Sequence, residues 1–189
     1  SPLSLSPALW LKSDVGLFQD TAGTTPAVLD SDPVGRWNDQ SGSGNHFVQA
    51  VSASRPALKL AIQNGRPVVR FDAVDDTLVR QSPSPIFALN SGGTVYVVLN
   101  NLSGTSIGFE LGSSGADYFY FRVATGNWNL LTGSIPSGTI VAGATGAWGV
   151  LCGQRLFGAG TAQASLNGGI MHSAVNTSWQ ACADMFLNN

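Results

Sequence analysis

Charge is scarce in this chain. Asp, Glu, Lys and Arg together make up 11% of the 189 residues, less than half the roughly 25% of an ordinary soluble domain. The nine basic residues are scattered and the net charge is −2, so no basic stripe exists to track a phosphate backbone, and nucleic acid is not an expected partner. Long apolar runs are missing as well. Stretches such as Thr94-Val95-Tyr96-Val97-Val98-Leu99 fall far short of the about 20 residues that span a bilayer, so no membrane insertion is expected. The chain opens on Ser1-Pro2 with no basic segment leading into an apolar signal core, which reads as a mature product or an excised piece. Cysteine is limited to Cys152 and Cys182. A bridge formed in an oxidising compartment and two buried thiols both stay open, because two cysteines do not fix their pairing.

Helical periodicity is also absent, since no window keeps apolar residues at i, i+3, i+4 and i+7 for three turns. Instead, 23 glycines and nine prolines punctuate short apolar runs, the pattern of closely spaced strands and turns. Strands are predicted over 8–12, 35–37, 47–48, 57–61, 68–72, 78–79, 93–100, 107–111, 118–123, 128–131, 139–141, 148–154, 161–166 and 170–173. Asn64-Gly65 and Asn167-Gly168 predict tight hairpin turns, because Asn and Gly tolerate the positive φ that a type I′ turn requires. With no internal repeat and no linker, residues 1–189 read as one all-β domain. A surface of Ser, Thr, Asn, Gln and Gly suits a protein that meets glycans or repeated neighbours outside a cell.

The most informative stretch is Trp37-Asn38-Asp39-Gln40-Ser41-Gly42-Ser43-Gly44-Asn45-His46, followed by Arg66-Pro67-Val68-Val69-Arg70-Phe71-Asp72. With Ala8 to Asp14, Arg55-Pro56 and Ala164 to Gly169 in this order, the chain resembles the concanavalin A-like, laminin-G-like jelly-roll modules of bacterial surface and phage structural proteins. The resemblance covers nearly the whole chain. It implies two stacked antiparallel sheets, one of them concave, and a sugar-binding or adhesive role. Such modules close with a further strand after the late hairpin, whereas here the chain ends on Asp184-Met185-Phe186-Leu187-Asn188-Asn189. An open edge of that kind invites pairing with a neighbouring subunit.

Catalytic chemistry is thinly supplied. Glycosidases on this fold need paired carboxylates as nucleophile and acid/base, yet Glu110 is the only glutamate and no aspartate stands at the matching spacing. A glycoside hydrolase is therefore disfavoured and no catalytic residue is assigned. His46 and His172 lack partners at zinc-ligand spacing, and no nucleophile-elbow sequence frames a serine triad. Asp72, Asp75 and Asp76 can gather Ca²⁺ with backbone carbonyls, or cap a turn through their own backbone amides with no metal at all; Asp30 and Asp32 admit the same two readings. Asp39, Ser41 and Asn45 read as a structural turn or as donors to sugar hydroxyls, with Trp37 packed beneath. Tyr118, Phe119, Tyr120 and Phe121 alternate along a strand, so the tyrosines share one face. With Trp128 they are the expected carbohydrate platform, since aromatic rings stack on sugar C–H faces. The expectation is a non-catalytic recognition module on a cell-surface or virion protein, able to self-associate, whose partner is a glycan or surface polysaccharide. The alternative is a structural capsid or tail decoration protein that docks on neighbouring virion subunits.

Overall fold

The computed structural model describes residues 2–80, 86, 92–100, 106–112, 119–124, 127–132, 146–156, 161–175 and 184–188. Their regular structure is antiparallel β-sheet with two short 3-10 turns, Pro2–Leu5 and Ser52–Ser54. Among the described residues no helix is long and apolar enough to cross a membrane. The chain divides into two compact units, residues 1–82 with 188–189, and residues 83–187.

The first unit holds β1 (Leu17–Phe18), β2 (Arg36–Trp37), β3 (Phe47–Val48), β4 (Ala57–Gln63), β5 (Arg66–Arg70) and β6 (Thr77–Arg80). β1, β2, β3 and β6 lie side by side in that order, while β4 and β5 form a separate hairpin. Asn64 (φ 50°) and Gly65 (φ 72°) make its turn, with Gln63 opposite Arg66, as the Asn-Gly pair predicts. A bulge between Lys59 and Gln63 places Ala61 at φ 53°. Leu17, Ala27, Val34, Phe47, Leu58 and Leu78 are buried and form this unit's apolar core. Ala8 to Lys12 is not a ladder strand; side chains described below hold it.

The second unit holds β7 (Gly93–Asn100), β8 (Ser106–Gly112), β9 (Phe119–Ala124), β10 (Asn127–Thr132), β11 (Trp148–Leu156), β12 (Thr161–Leu166), β13 (His172–Val175) and all but the last residue of β14 (Asp184–Asn188). One sheet runs β13-β12-β11-β7, and β14, β8, β9 and β10 are neighbours in another. β14 pairs Asp184, Met185 and Phe186 with Gly112, Leu111 and Glu110 of β8, so the segment that the sequence leaves without a strand is one. Asn167 (φ 51°) and Gly168 (φ 71°) turn the chain after β12, closed by Gly169 N–H donating to Leu166 O at 2.9 Å. The returning strand starts at His172 rather than Ile170. The segment 139–141, predicted as a strand, lies outside the described residues.

The sheet that contains β7 has two unlike faces. Leu151, Gly153 and Ala164 are buried on one, and Gly149 shares it because an added Cβ would meet Leu166 Cδ1 at 2.7 Å. Odd positions of β11 are thus committed to packing, and even positions, Val150, Cys152 and Gln154, lie on the other face. The register puts them opposite Val98, Tyr96 and Thr94 of β7.

Candidate functional site

The Trp37–His46 loop, which dominates the sequence, is a clasp. The Asp39 carboxylate is 7% exposed. It accepts hydrogen bonds from Trp10 N–H (2.9 Å), Ser41 N–H (2.8 Å), Ser41 Oγ–H (2.7 Å) and Asn45 N–H (3.0 Å). Asp39 N–H in turn donates to His46 Nδ1 at 3.1 Å. Asn45 Nδ2 donates to Ala8 O at 2.6 Å, and its Oδ1 accepts from Arg80 Nε (3.0 Å) and Nη2 (2.8 Å). Burial works to raise the Asp39 pKa, but the bonds from Ser41, Trp10 and Asn45 prevail and hold it below the usual carboxylate value. Asp39, Ser41 and Asn45 therefore serve as structure, tying residues 8–10 to the loop through bonds among themselves and to Ala8 and Trp10. Trp37 is half-exposed, with Nε1 donating to Lys12 O at 2.9 Å, rather than packed in the core.

The acidic residues are mostly spent in the same way. Asp30 Oδ1 accepts from Leu60 N–H at 2.9 Å, and Asp32 Oδ2 from Val28 and Leu29 N–H at 2.8 Å each. Asp72, Asp75 and Asp76 do come together, with one oxygen of each within 4.8 Å of the others, a span that Ca²⁺ bridges with bonds of about 2.4 Å. Their hydrogen bonds are those of a capped turn. Asp72 Oδ1 accepts from Val74, Asp75 and Asp76 N–H (2.9, 3.3 and 3.3 Å), and Asp76 Oδ2 from Asp72 N–H (2.9 Å). Asp75 Oδ2 accepts from Ser54 Oγ–H at 2.7 Å. The Val74 amide and its neighbours lower the Asp72 pKa, whereas burial and the adjacent Asp72 and Asp75 charges raise that of Asp76.

Of the expected aromatic platform, Tyr118 lies outside the described residues. Tyr120 stands opposite Leu131, and Trp128 opposite Val123. Along the β9–β10 ladder Tyr120 and Trp128 are therefore three positions out of step rather than directly opposite each other.

An aromatic on the β7 sheet stands in the open instead. Tyr96 is 70% exposed, flanked on its own strand by Val98 (66%) and across the ladder by Val150 (42%). Beside it lies a shallow concavity of about 490 Å³ lined by Tyr96, Val150, Cys152, Gln154, Ser165 and Met171 together with Gly168 and Gly169 of the turn. Gln154 Nε2 donates to Thr94 Oγ1 at 3.4 Å, which steadies one wall. Cys152 is a half-exposed free thiol. Its hydrogen-bonding contact with the Tyr96 phenol, and its charge when ionised, raise the phenol's pKa above the ordinary 10.0, so Tyr96 stays protonated at neutral pH. The site offers a ring face, a phenol, an amide and a buried serine, with no ionised group among its lining. It can stack and hydrogen-bond a neutral ligand. No protein-family model and no curated protein matches this chain.

Sequence reasoning missed Tyr96 because both faces of Thr94 to Leu99 are apolar, which hides which one is wet. The signal lay one strand away: glycines at 149 and 153 mark the crowded face of β11, and the register then assigns Tyr96 to the other.

Proposed function

We propose that this chain is a non-catalytic recognition module of the concanavalin A-like, jelly-roll type, which binds carbohydrate through the Tyr96 face and forms part of a cell-surface or phage particle protein. The observation that carries this reading is a 70% exposed tyrosine on a sheet face, beside a shallow concavity with amide and hydroxyl groups and no charge. Sugar rings present C–H faces that stack on an aromatic side chain and hydroxyls that pair with amides and alcohols. The low charge of the whole chain and its single glutamate support recognition over glycoside hydrolysis. A second reading, a structural virion module, is favoured by Val98 and Val150, whose exposed side chains suit a protein neighbour as well as a sugar.

Titration of the chain against a panel of bacterial and host polysaccharides tests the proposal. Binding should weaken about tenfold or more in Tyr96→Ala, roughly 1.4 kcal/mol for a lost stacking ring, and less in Gln154→Ala. Absence of binding across the panel overturns the carbohydrate reading, and attachment of the same protein to phage particles then favours the virion one.

A further inference from the structure

The concavity beside Tyr96 has a floor of short side chains between two long ones. Cys152 of β11 stands directly opposite Tyr96 of β7 on one flank and Ser165 of β12 on the other, so the three form a row across the sheet, on the face away from buried Leu151, Gly153 and Ala164. The pairing of Ala164 with His172 brings Met171 to the far end of that row. Tyr96 and Met171 thus flank Cys152 and Ser165, and all four line the concavity.

Ser165 is unlike the rest of this lining. It is 4% exposed, and among the described residues its hydroxyl has no hydrogen-bond partner. A buried hydroxyl left unpaired costs stability, and a ligand that brings an acceptor down to it recovers that cost. Around the hydroxyl the lining is apolar, since the Cys152 sulfur, the Met171 thioether and Val150 offer contact to a methyl group and little to a second polar atom. A bare sugar hydroxyl would satisfy Ser165 but leave these groups without contact. No charge stands in the lining, so a carboxylate, sulfate or ammonium substituent would lose its water without compensation. The group that fits carries one acceptor, one methyl and no charge, which is the composition of an acetyl group.

We infer that the concavity is a subsite for an acetyl group on a neutral sugar, an inference that rests on the carbohydrate reading of the Tyr96 face. The sugar ring stacks on Tyr96, the acetyl carbonyl accepts from Ser165 Oγ–H, and the methyl lies against Cys152 and Met171. The acetyl group is carried either on nitrogen, as in an N-acetylhexosamine, or as an ester on a sugar hydroxyl.

Paired calorimetric titrations of the full chain test the subsite. One arm compares oligomers of N-acetylglucosamine with glucose oligomers of the same linkage and length, which differ only in that substituent; the other compares an O-acetylated polysaccharide with the same polymer after saponification. In one arm or the other the acetylated ligand should bind about tenfold more tightly, from one added hydrogen bond and one buried methyl, and the arm that shows the gap identifies the carrier. Ser165→Ala should close most of that gap, and Cys152→Leu, which fills the floor, should close it too, each with the circular dichroism of the wild type. Equal affinity within both pairs, or binding confined to unacetylated polysaccharides, overturns the inference and leaves the carbohydrate reading standing. So does a gap that survives both substitutions. No binding by any polysaccharide overturns both.

Discussion

Replacing Asp39 by alanine should cost the first unit more than any other single change at an acidic position. The carboxylate takes four hydrogen bonds at 2.7 to 3.0 Å and is 7% exposed. Two of its donors, Trp10 N–H and Asn45 N–H, are main-chain groups of separate segments, also joined by Gln40 N–H to Trp10 O and Asn45 Nδ2 to Ala8 O, and alanine leaves both without their acceptor. At about 1 to 3 kcal/mol for each buried group left unpaired, less what water recovers around half-exposed Ser41, the expected loss is about 3 kcal/mol, far out in the tail of point substitutions. Asp39→Asn separates charge from shape. Its Oδ1 still accepts from Trp10 and Ser41, but its Nδ2 faces Asn45 N–H donor to donor, so about 1 to 2 kcal/mol should go. Urea unfolding monitored by tryptophan fluorescence reads both. A loss below about 0.5 kcal/mol for Asp39→Ala, the range of an ordinary surface change, would refute the clasp.

Three more outcomes follow from the same geometry. Asp76→Asn should leave urea stability unchanged or raise it, because it keeps the acceptor for Asp72 N–H and removes repulsion from Asp72 and Asp75; a clear loss of stability, or a Ca²⁺-dependent rise in the wild-type melting midpoint, would show the three carboxylates gathering a cation. Asp20, Asp30, Asp39 and Asp72 all have pKa values lowered from 3.8. Their stabilising contribution is complete above about 3.8 and disappears as pH falls through the lower folded values, so the urea midpoint should drop between pH 5 and pH 2, and a flat profile contradicts this. Gly35→Ala should destabilise by about 1 to 3 kcal/mol through overpacking, since a Cβ there meets Gln19 O at 2.5 Å and Arg55 Nε at 2.9 Å; a melting midpoint equal to wild type would show that the Arg55 side chain gives way freely.

Local chemistry was the legible part of this sequence. Asn64-Gly65 and Asn167-Gly168 announce their turns because few residues take φ near +50° to +70°, and all four do. β7 and β12 have the bounds that the apolar runs predict. β14 went unread because Asp184-Met185-Phe186-Leu187-Asn188 is short and lacks alternation, so only its pairing with β8 defines it. Ala8 to Lys12 looks like a strand but is held by Asp39, 29 residues from Trp10, a partnership that no local pattern encodes. Strand alternation suggests one platform of Tyr120 and Trp128, whereas the register that sets Trp128 opposite Val123 is not visible along a single chain. Tyr96 was hidden for the converse reason, as its own strand carries apolar residues on both faces.

Amide chemical shifts of isotopically labelled protein, recorded while polysaccharide is added, test the recognition reading most directly. Shifts concentrated at Tyr96, Val150, Gln154 and Ser165, with the polymer recovered intact, are the expected result. Shifts centred elsewhere, or new reducing ends in the recovered polymer, would contradict it.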